Sequence, residues 1–145
     1  RAEATPAELL AGTEGRAIVS TGSPFPPVSW RGELKAIDQT NNSYIFPGFG
    51  LGVLAANARR VTDAMFMAAA KALAELSPAR HDKSGRLLPP VNELRKVALA
   101  VADAVARQAQ ADGVAEPGAP DVRNARIHAL VWEPVYRPYR RKGAR

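Results

Sequence analysis

The sequence predicts an α/β fold in which helices dominate and one or two short strands lie near the N-terminus. Apolar residues recur at the helical period between residues 66 and 76 and again between residues 94 and 109. A Gly-rich stretch, Gly48–Gly52, joins the apolar run Tyr44–Phe46 to helical sequence, and strand, Gly-rich loop and helix in that order are typical of dinucleotide-binding α/β domains. A free-standing helical domain would give a similar pattern, so the pattern alone leaves both architectures open.

The first elements are predicted by caps and turn residues. Segment Thr5–Glu8 combines a capping hydroxyl, Pro at the first helical position and Glu three residues after the cap, which predicts a helix that ends near Gly12. The β-prone run Ala17–Ser20 predicts a short strand, and the segment Trp30–Ile37 predicts a hairpin. These elements precede the Gly-rich stretch.

Three helices are predicted to follow. The first continues from Gly52 to Asn57 as a buried helix. The second is capped by Thr62 or Asp63, ends at Ser77-Pro78 and carries its apolar face at Phe66, Ala69, Ala70, Leu73 and Leu76. The third starts near Asn92, ends at Gly113 and carries its apolar face at Leu94, Val97, Ala98, Val101, Val105 and Ala109.

The C-terminal part is predicted to be a separate extension. Segment Glu116–Pro120 is a Pro/Gly linker, Val122–Val131 is predicted to be a last helix, and Trp132–Tyr139 is predicted to lie extended against the body. We therefore divide the chain into residues 1–115 and a C-terminal extension, 116–145, with a basic tail.

Composition and charge exclude several classes of protein. The chain has 145 residues, of which 46% are hydrophobic and 23% charged, as in one globular domain. It has no cysteine and no apolar run near the roughly 20 residues of a membrane helix, so we expect a cytoplasmic protein without disulfides. Five of the six net positive charges belong to the tail (Arg137, Arg140, Arg141, Lys142 and Arg145). A basic tail on a nearly neutral body does not favour nucleic-acid binding.

The glycine spacing does not match a dinucleotide fingerprint. Gly48, Gly50 and Gly52 alternate, whereas the fingerprint requires its third glycine three positions after the second, and Val53 stands there. A Gly-rich start to a helix more often permits close packing against a neighbouring helix. We therefore interpret these glycines as packing residues.

Two further features are candidates for chemistry. The adjacent amides Asn41 and Asn42 either form a turn or donate hydrogen bonds to a ligand, and their composition leaves both alternatives open. Ser23 has no partner base nearby and is interpreted as a loop hydroxyl. His81 and His128 stand apart, without neighbouring acids or cysteines, and are not expected to bind a metal.

Four motifs in order resemble those of the malic enzymes, in the form found in bacterial members. Thr13–Phe25 resembles the family's TEGRA and GSPF segment, and Gln39–Gly48 is similar to its Q-x-N-N-x-x-x-F-P-G motif. Gly85–Pro90 matches G-R-L-x-P-P, and Trp132–Tyr136 matches W-x-P-x-Y. The run Asp38-Gln39-Thr40 replaces the glycine-containing run that is commoner before the asparagines in the family. Together the motifs cover nearly the whole chain.

The resemblance implies an enzyme that oxidatively decarboxylates malate to pyruvate and CO₂, using NAD or NADP and a divalent metal, Mg or Mn. It implies that the chain is the C-terminal portion of a Rossmann-like NAD(P)-binding domain, with the Asn loop at the carboxyl end of a strand. It assigns Asn41 and Asn42 to the substrate, and Asn41 and Ser23 to the cofactor. Family members assemble, so a homo-oligomer is expected.

The family's metal ligands, catalytic lysine and tyrosine, and dinucleotide fingerprint have no counterpart in this sequence. The chain begins with Arg1 rather than Met, and we expect it to be the later part of a longer polypeptide with no turnover of its own. The competing interpretation is a stand-alone helical interaction module that kept the fold and lost the chemistry.

Overall fold

The computed structural model describes residues 3–81 and 86–136. Within these ranges the helices are α1 (Pro6–Gly12), α2 (Phe46–Ala56), α3 (Asp63–Glu75), α4 (Leu94–Ala111) and α5 (Pro120–Leu130). The strands are β1 (Ser20–Thr21), β2 (Val28–Trp30), β3 (Glu33–Lys35) and β4 (Asp38–Gln39). Short turns of 3-10 helix lie at Asn42–Tyr44, Pro78–Arg80 and Val91–Glu93. This confirms the predicted α/β fold with a predominance of helix.

Local capping explains where the helices begin. The Thr5 hydroxyl accepts from the Glu8 backbone N–H, and the Glu8 carboxylate accepts from the Thr5 N–H at 2.7 Å, which completes a capping box for α1. The Thr62 hydroxyl caps α3 by accepting from the Met65 N–H. Gly113, at φ +66°, follows the end of α4 in the left-handed conformation. The predicted starts of α1 and α3 and the predicted end of α4 are confirmed.

The strands form two separate pairs. β2 and β3 make an antiparallel hairpin whose turn, Arg31-Gly32, has both residues at positive φ. The predicted hairpin is confirmed, but it spans residues 28–35 rather than Trp30–Ile37. β1 pairs in parallel with β4, Ser20 opposite Asp38. The strand predicted at Ala17–Ser20 is wrong in its bounds, because β4 offers only two residues for pairing.

The helical core is built around α4. α2 and α3 pack on α4, and α5 packs against α2 and α4. The core side chains are buried between these helices and are mainly small, among them Met65, Ala69, Val97, Val101, Val105, Ala106 and Ala109. Ile127 of α5 is buried with Ala55 and Ala102 in a second cluster.

The glycines lie inside a helix rather than in a loop. α2 begins at Phe46, so the predicted strand at Tyr44–Phe46 and the predicted loop at Gly48–Gly52 are wrong. A Cβ on Gly48 would lie 2.5 Å from the Ala98 carbonyl oxygen, and one on Gly52 would lie 2.6 Å from that of Ala102. These distances are shorter than real Cβ contacts, so the two glycines bring α2 directly against the backbone of α4. The packing role predicted for the glycines is confirmed.

The apolar face predicted for α3 is confirmed at Ala69, Leu73 and Leu76 but not at Phe66 and Ala70. Met65 and Ala69 are fully buried, whereas Ala70 is exposed and Phe66 is 48% exposed. The prediction that Phe66 and Ala70 lie in the core is therefore wrong. Because α3 packs on α4 along one narrow stripe, the neighbouring positions face outward. The Phe66 ring still stacks on Phe49, with 4.5 Å between the ring centroids.

The segment after α5 contacts the body through Arg95 of α4, but its large apolar side chains are not buried against it. Trp132, Val135 and Tyr136 are exposed. The segment is held through Arg95, which donates to the Trp132 carbonyl at 2.8 Å and pairs with Glu133 at 2.9 Å. Residues 137–145, with the basic tail, lie outside the described residues, and the proposed division at residue 115 stays a prediction. No helix within the described ranges is long and apolar enough to cross a membrane.

Candidate functional site

Two loops leave the same edge of the parallel strand pair. β1 and β4 run in one direction, so their carboxyl ends lie together and are followed by Gly22-Ser23 and by Thr40–Asn42. The Thr40 N–H donates to the Thr21 carbonyl at 2.8 Å, and the Thr40 hydroxyl donates to that of Ser20 at 2.6 Å. Open α/β sheets bind ligands at such carboxyl ends. The predicted position of the Asn loop, at the end of a strand, is confirmed.

The two asparagines have different environments. The Asn41 side-chain oxygen accepts from the Ser43 N–H at 2.9 Å and caps the 3-10 turn Asn42–Tyr44. Its amide nitrogen therefore remains as a donor. Asn42 is exposed, and its side chain makes no hydrogen bond to any described residue. The turn alternative thus applies to Asn41, whereas the Asn42 amide has both donors and its acceptor available.

Both asparagines line one cleft. Its volume is about 270 Å³, and its lining residues are Thr40, Asn41, Asn42, Tyr44, Ile45, Phe46, Leu73 and Leu88. The cleft therefore has a polar wall from Thr40–Asn42, here called the site loop, and an apolar wall from α2, α3 and Leu88. A groove of about 320 Å³ between α3 and α4 is larger, but it shares no lining residue with either loop.

The Ser23 side chain is exposed and lines neither of these cavities. Its backbone carbonyl accepts from the Thr21 hydroxyl at 2.7 Å. The following residues, Pro24 and Phe25, line a second cleft of about 210 Å³, which also contacts Asp38 and Tyr44. The structure thus places Ser23 at the same sheet edge as the asparagines but outside their cleft.

Two buried polar side chains next to the asparagine loop, Asp38 and Tyr44, were not predicted from the sequence to be site residues. The Asp38 carboxylate, 8% exposed, accepts from the backbone N–H groups of Leu87 and Leu88. The Tyr44 hydroxyl donates to the Pro89 carbonyl at 2.6 Å. Burial raises the pKa of Tyr44, and the Asp38 carboxylate acts in the same direction. The only sequence signal was that each lies within three residues of the asparagine pair.

Metal ligands are a separate question. Within residues 3–81 and 86–136 no group of three or more His, Cys, Asp or Glu side chains comes together.

Comparison with known proteins shows which family this chain is similar to. The family model described as malic enzyme, NAD binding domain, matches residues 1–110. An NAD-dependent malic enzyme of Erwinia tasmaniensis is 52% identical over 141 residues, and one of Sodalis glossinidius is 49% identical over the same length. Each alignment covers 97% of this chain and 25% of the relative. The chain thus spans about a quarter of the length of these relatives.

Solved structures agree with the sequence matches. The malic enzyme of Pyrococcus horikoshii superposes with a TM-score of 0.66 at 28% identity, over 88% of this chain and 26% of that one. The malic enzyme of Entamoeba histolytica gives a TM-score of 0.63 at 30% identity, over 88% and 25%. Nothing in these matches supports a stand-alone interaction module. The chain belongs to the malic enzyme family, and its first 110 residues belong to the family's NAD-binding domain.

Proposed function

We propose that this chain supplies the asparagine-bearing wall of the malate and nicotinamide site in an NAD-dependent malic enzyme. The supporting observation is the unpaired Asn42 amide, which lines a cleft at the carboxyl end of a parallel strand. Asn41 and Asn42 contact the substrate, and Asn41 and Ser23 contact the cofactor. NAD rather than NADP is favoured because the relatives are named NAD-dependent.

The proposed reaction is the oxidative decarboxylation of malate to pyruvate and CO₂. Bound NAD supplies hydride acceptance, and a bound Mg or Mn ion supplies polarisation of a carbonyl oxygen. The residues of this chain bind and orient. The Asn42 amide donates to a malate carboxylate or hydroxyl without adding a charge to the site. Asn41 acts through its amide N–H groups, because its oxygen already accepts from the Ser43 N–H.

The proposal places the metal ligands and the proton-transfer groups in the remainder of the enzyme polypeptide, which is the first partner of this chain. An exposed apolar stripe on α2 supports such a partner. Phe46 is 57% exposed, Leu54 is 70% exposed, and Gly50 lies between them on the same face. Because α2 contains no polar side chain, both of its faces are suited to burial. A homo-oligomer and a cytoplasmic location are also part of the proposal.

The test uses the complete enzyme and follows formation of the reduced cofactor. We expect malate- and NAD-dependent turnover from the complete enzyme and none from the 145-residue chain. Asn42→Ala should lower kcat/KM about 10- to 150-fold, since a hydrogen bond to a charged group contributes about 1.5–3 kcal/mol. Asn124→Ala, an exposed amide on α5, is the matched control and should leave kcat/KM unchanged.

Asn41→Ala combines two losses, the donor to the ligand and the cap of the 3-10 turn. It should therefore lower both kcat/KM and the midpoint of urea unfolding, whereas Asn42→Ala lowers kcat/KM alone. Kinetics of Asn42→Ala that equal those of Asn124→Ala would show that the pair forms only a turn.

A further inference from the structure

We propose that Asp38 is a positioning residue that fixes the Asn41-Asn42 loop by fastening the segment 86–90 against it. This inference rests on the proposed function, in which that loop holds the substrate. Asp38 does not line the cleft that contains the asparagines. It acts through the backbone of Leu87 and Leu88.

Asp38 and Tyr44 each hydrogen-bond to the backbone of the segment 86–90, and we call these two sets of contacts the two arms of a clamp. In the first arm, one carboxylate oxygen of Asp38, Oδ2, accepts from both Leu87 N–H and Leu88 N–H, the latter at 3.3 Å. In the second arm, the Tyr44 hydroxyl donates to the Pro89 carbonyl at 2.6 Å. Both side chains are buried, with 8% and 4% exposure, and they reach partners 45 to 50 positions away in the sequence.

The two arms enclose the asparagines. Asp38 lies three positions before Asn41, and Tyr44 lies two positions after Asn42. On its other side the loop is held to β1 through the bonds of Thr40. Fastening both flanks of a short loop leaves few conformations to the residues between them, so the loop is preorganised before ligand binding.

The clamp also builds the cleft itself. Leu88, whose N–H donates to Asp38, lines the same cleft as Asn41 and Asn42 and supplies part of its apolar wall. If the segment 86–90 moves away, the cleft widens and the loop loses one flank at the same time.

The experiment compares Asp38→Ala and Asp38→Asn in the complete enzyme. Asp38→Ala removes the acceptor of two N–H groups, and we expect the KM for malate to rise about 3- to 10-fold with a smaller change in kcat. Asp38→Asn keeps a carbonyl oxygen that can occupy the place of Oδ2. It should return KM to within about twofold of the wild type.

The matched control is Thr62→Ala, which removes the cap of α3 away from the loop. It lowers stability as a helix-cap loss does, and it should leave the KM for malate unchanged. A second measurement, amide hydrogen exchange, is independent of activity. In Asp38→Ala, exchange should accelerate at Leu87 and Leu88 and also at Ser43, whose N–H is bonded to Asn41.

Each outcome decides between the interpretations. A KM in Asp38→Ala equal to that of Thr62→Ala would overturn the positioning role, while the Asn42→Ala result still stands for the proposed function. Failure of Asp38→Asn to restore KM would overturn the hydrogen-bond basis of the clamp. If the wild-type enzyme does not turn over malate, the proposed function fails and exchange decides the clamp: accelerated exchange at Ser43 supports it, and unchanged exchange at Ser43 overturns it.

Discussion

Replacing Gly48 with Ala should destabilise the fold, although alanine is the better helix former. Gly48 lies in α2 where that helix meets α4. The added Cβ would lie 2.5 Å from the Ala98 carbonyl oxygen, 2.8 Å from Val101 Cβ and 2.9 Å from Ala98 Cα. Two of these three atoms are backbone, so no rotation of a side chain can relieve the contact.

The magnitude follows from two opposing effects. Ordinary contact for a Cβ begins at 3.4 Å, so the two helices must separate locally by about 0.9 Å. Overpacking of this kind costs about 1–3 kcal/mol, whereas Gly→Ala inside a helix gains at most about 1 kcal/mol. We therefore expect a net loss of about 1–2 kcal/mol, because the separation also weakens the packing of Val101 and Val105.

The control lies in the same helix. In the 145-residue chain, in which the unfolding is measured, Gly50 faces solvent, and a Cβ there would meet nothing within 4 Å. Gly50→Ala should therefore stabilise the chain by about 0.5–1 kcal/mol through helix propensity alone. Urea unfolding followed by far-UV circular dichroism gives both values, with the slope of the transition compared to confirm that only stability has changed.

Gly52→Ala repeats the test at a second site, since its Cβ would lie 2.6 Å from the Ala102 carbonyl and 2.9 Å from Val105 Cβ. We predict that the free energy of unfolding decreases in Gly48→Ala and increases in Gly50→Ala. Unfolding midpoints for Gly48→Ala and Gly50→Ala that move upward together would refute it, because α2 would then be shown to move away from α4 at no cost.

Two further predictions concern pH. Tyr44→Phe should lower the free energy of unfolding by about 1 kcal/mol at neutral pH, since the Pro89 carbonyl loses its hydrogen-bond donor. Because the pKa of Tyr44 is raised in the fold, the wild type should lose this contribution as the pH rises through the raised pKa. The urea midpoint of Tyr44→Phe should therefore fall less at alkaline pH than that of the wild type. The Thr62 hydroxyl lowers the pKa of Asp112, so the stability that Asp112 contributes is present above its ordinary pKa and is lost as the pH falls through the lowered pKa. In a plot of urea midpoint against pH, Asp112→Asn should therefore reduce the decline at acid pH. An unchanged decline would contradict this role of Asp112.

The elements that the sequence predicted well are those with local causes. The capping box at Thr5, the cap at Thr62 and the end of α4 at Gly113 each depend on residues within one helical turn. The start of α2 was missed, since glycines and a proline normally interrupt helices. They are tolerated in α2 because Pro47 occupies the first turn and because Gly48 and Gly52 are packed against α4.

The site was only partly predictable for the same reason. The asparagine pair was found from its motif, and its position after a strand was implied by the resemblance, because the two-residue strand β4 itself was not predicted. The roles of Asp38 and Tyr44 could not be found, because their partners lie 45 to 50 residues away at Leu87–Pro89. The exposure of Phe66 and Ala70 likewise depends on how α3 packs on α4, which the periodicity of α3 alone does not show.

The packing of α2 on α4 also affects the position of the asparagine loop. α2 begins four residues after Asn42, so the seat of its first turn on α4 fixes the point from which the site loop departs. Gly48 lies in that first turn, and Gly52 lies one turn further away, about 6 Å along the axis. Lifting α2 at Gly48 must therefore move the end of the loop, whereas lifting it at Gly52 tilts the distant part of the helix. If the loop holds malate, Gly48→Ala in the complete enzyme should raise KM more than Gly52→Ala does at equal cost in stability. Equal KM values at equal stability would show that the loop is positioned by β1 and the Asp38 clamp alone.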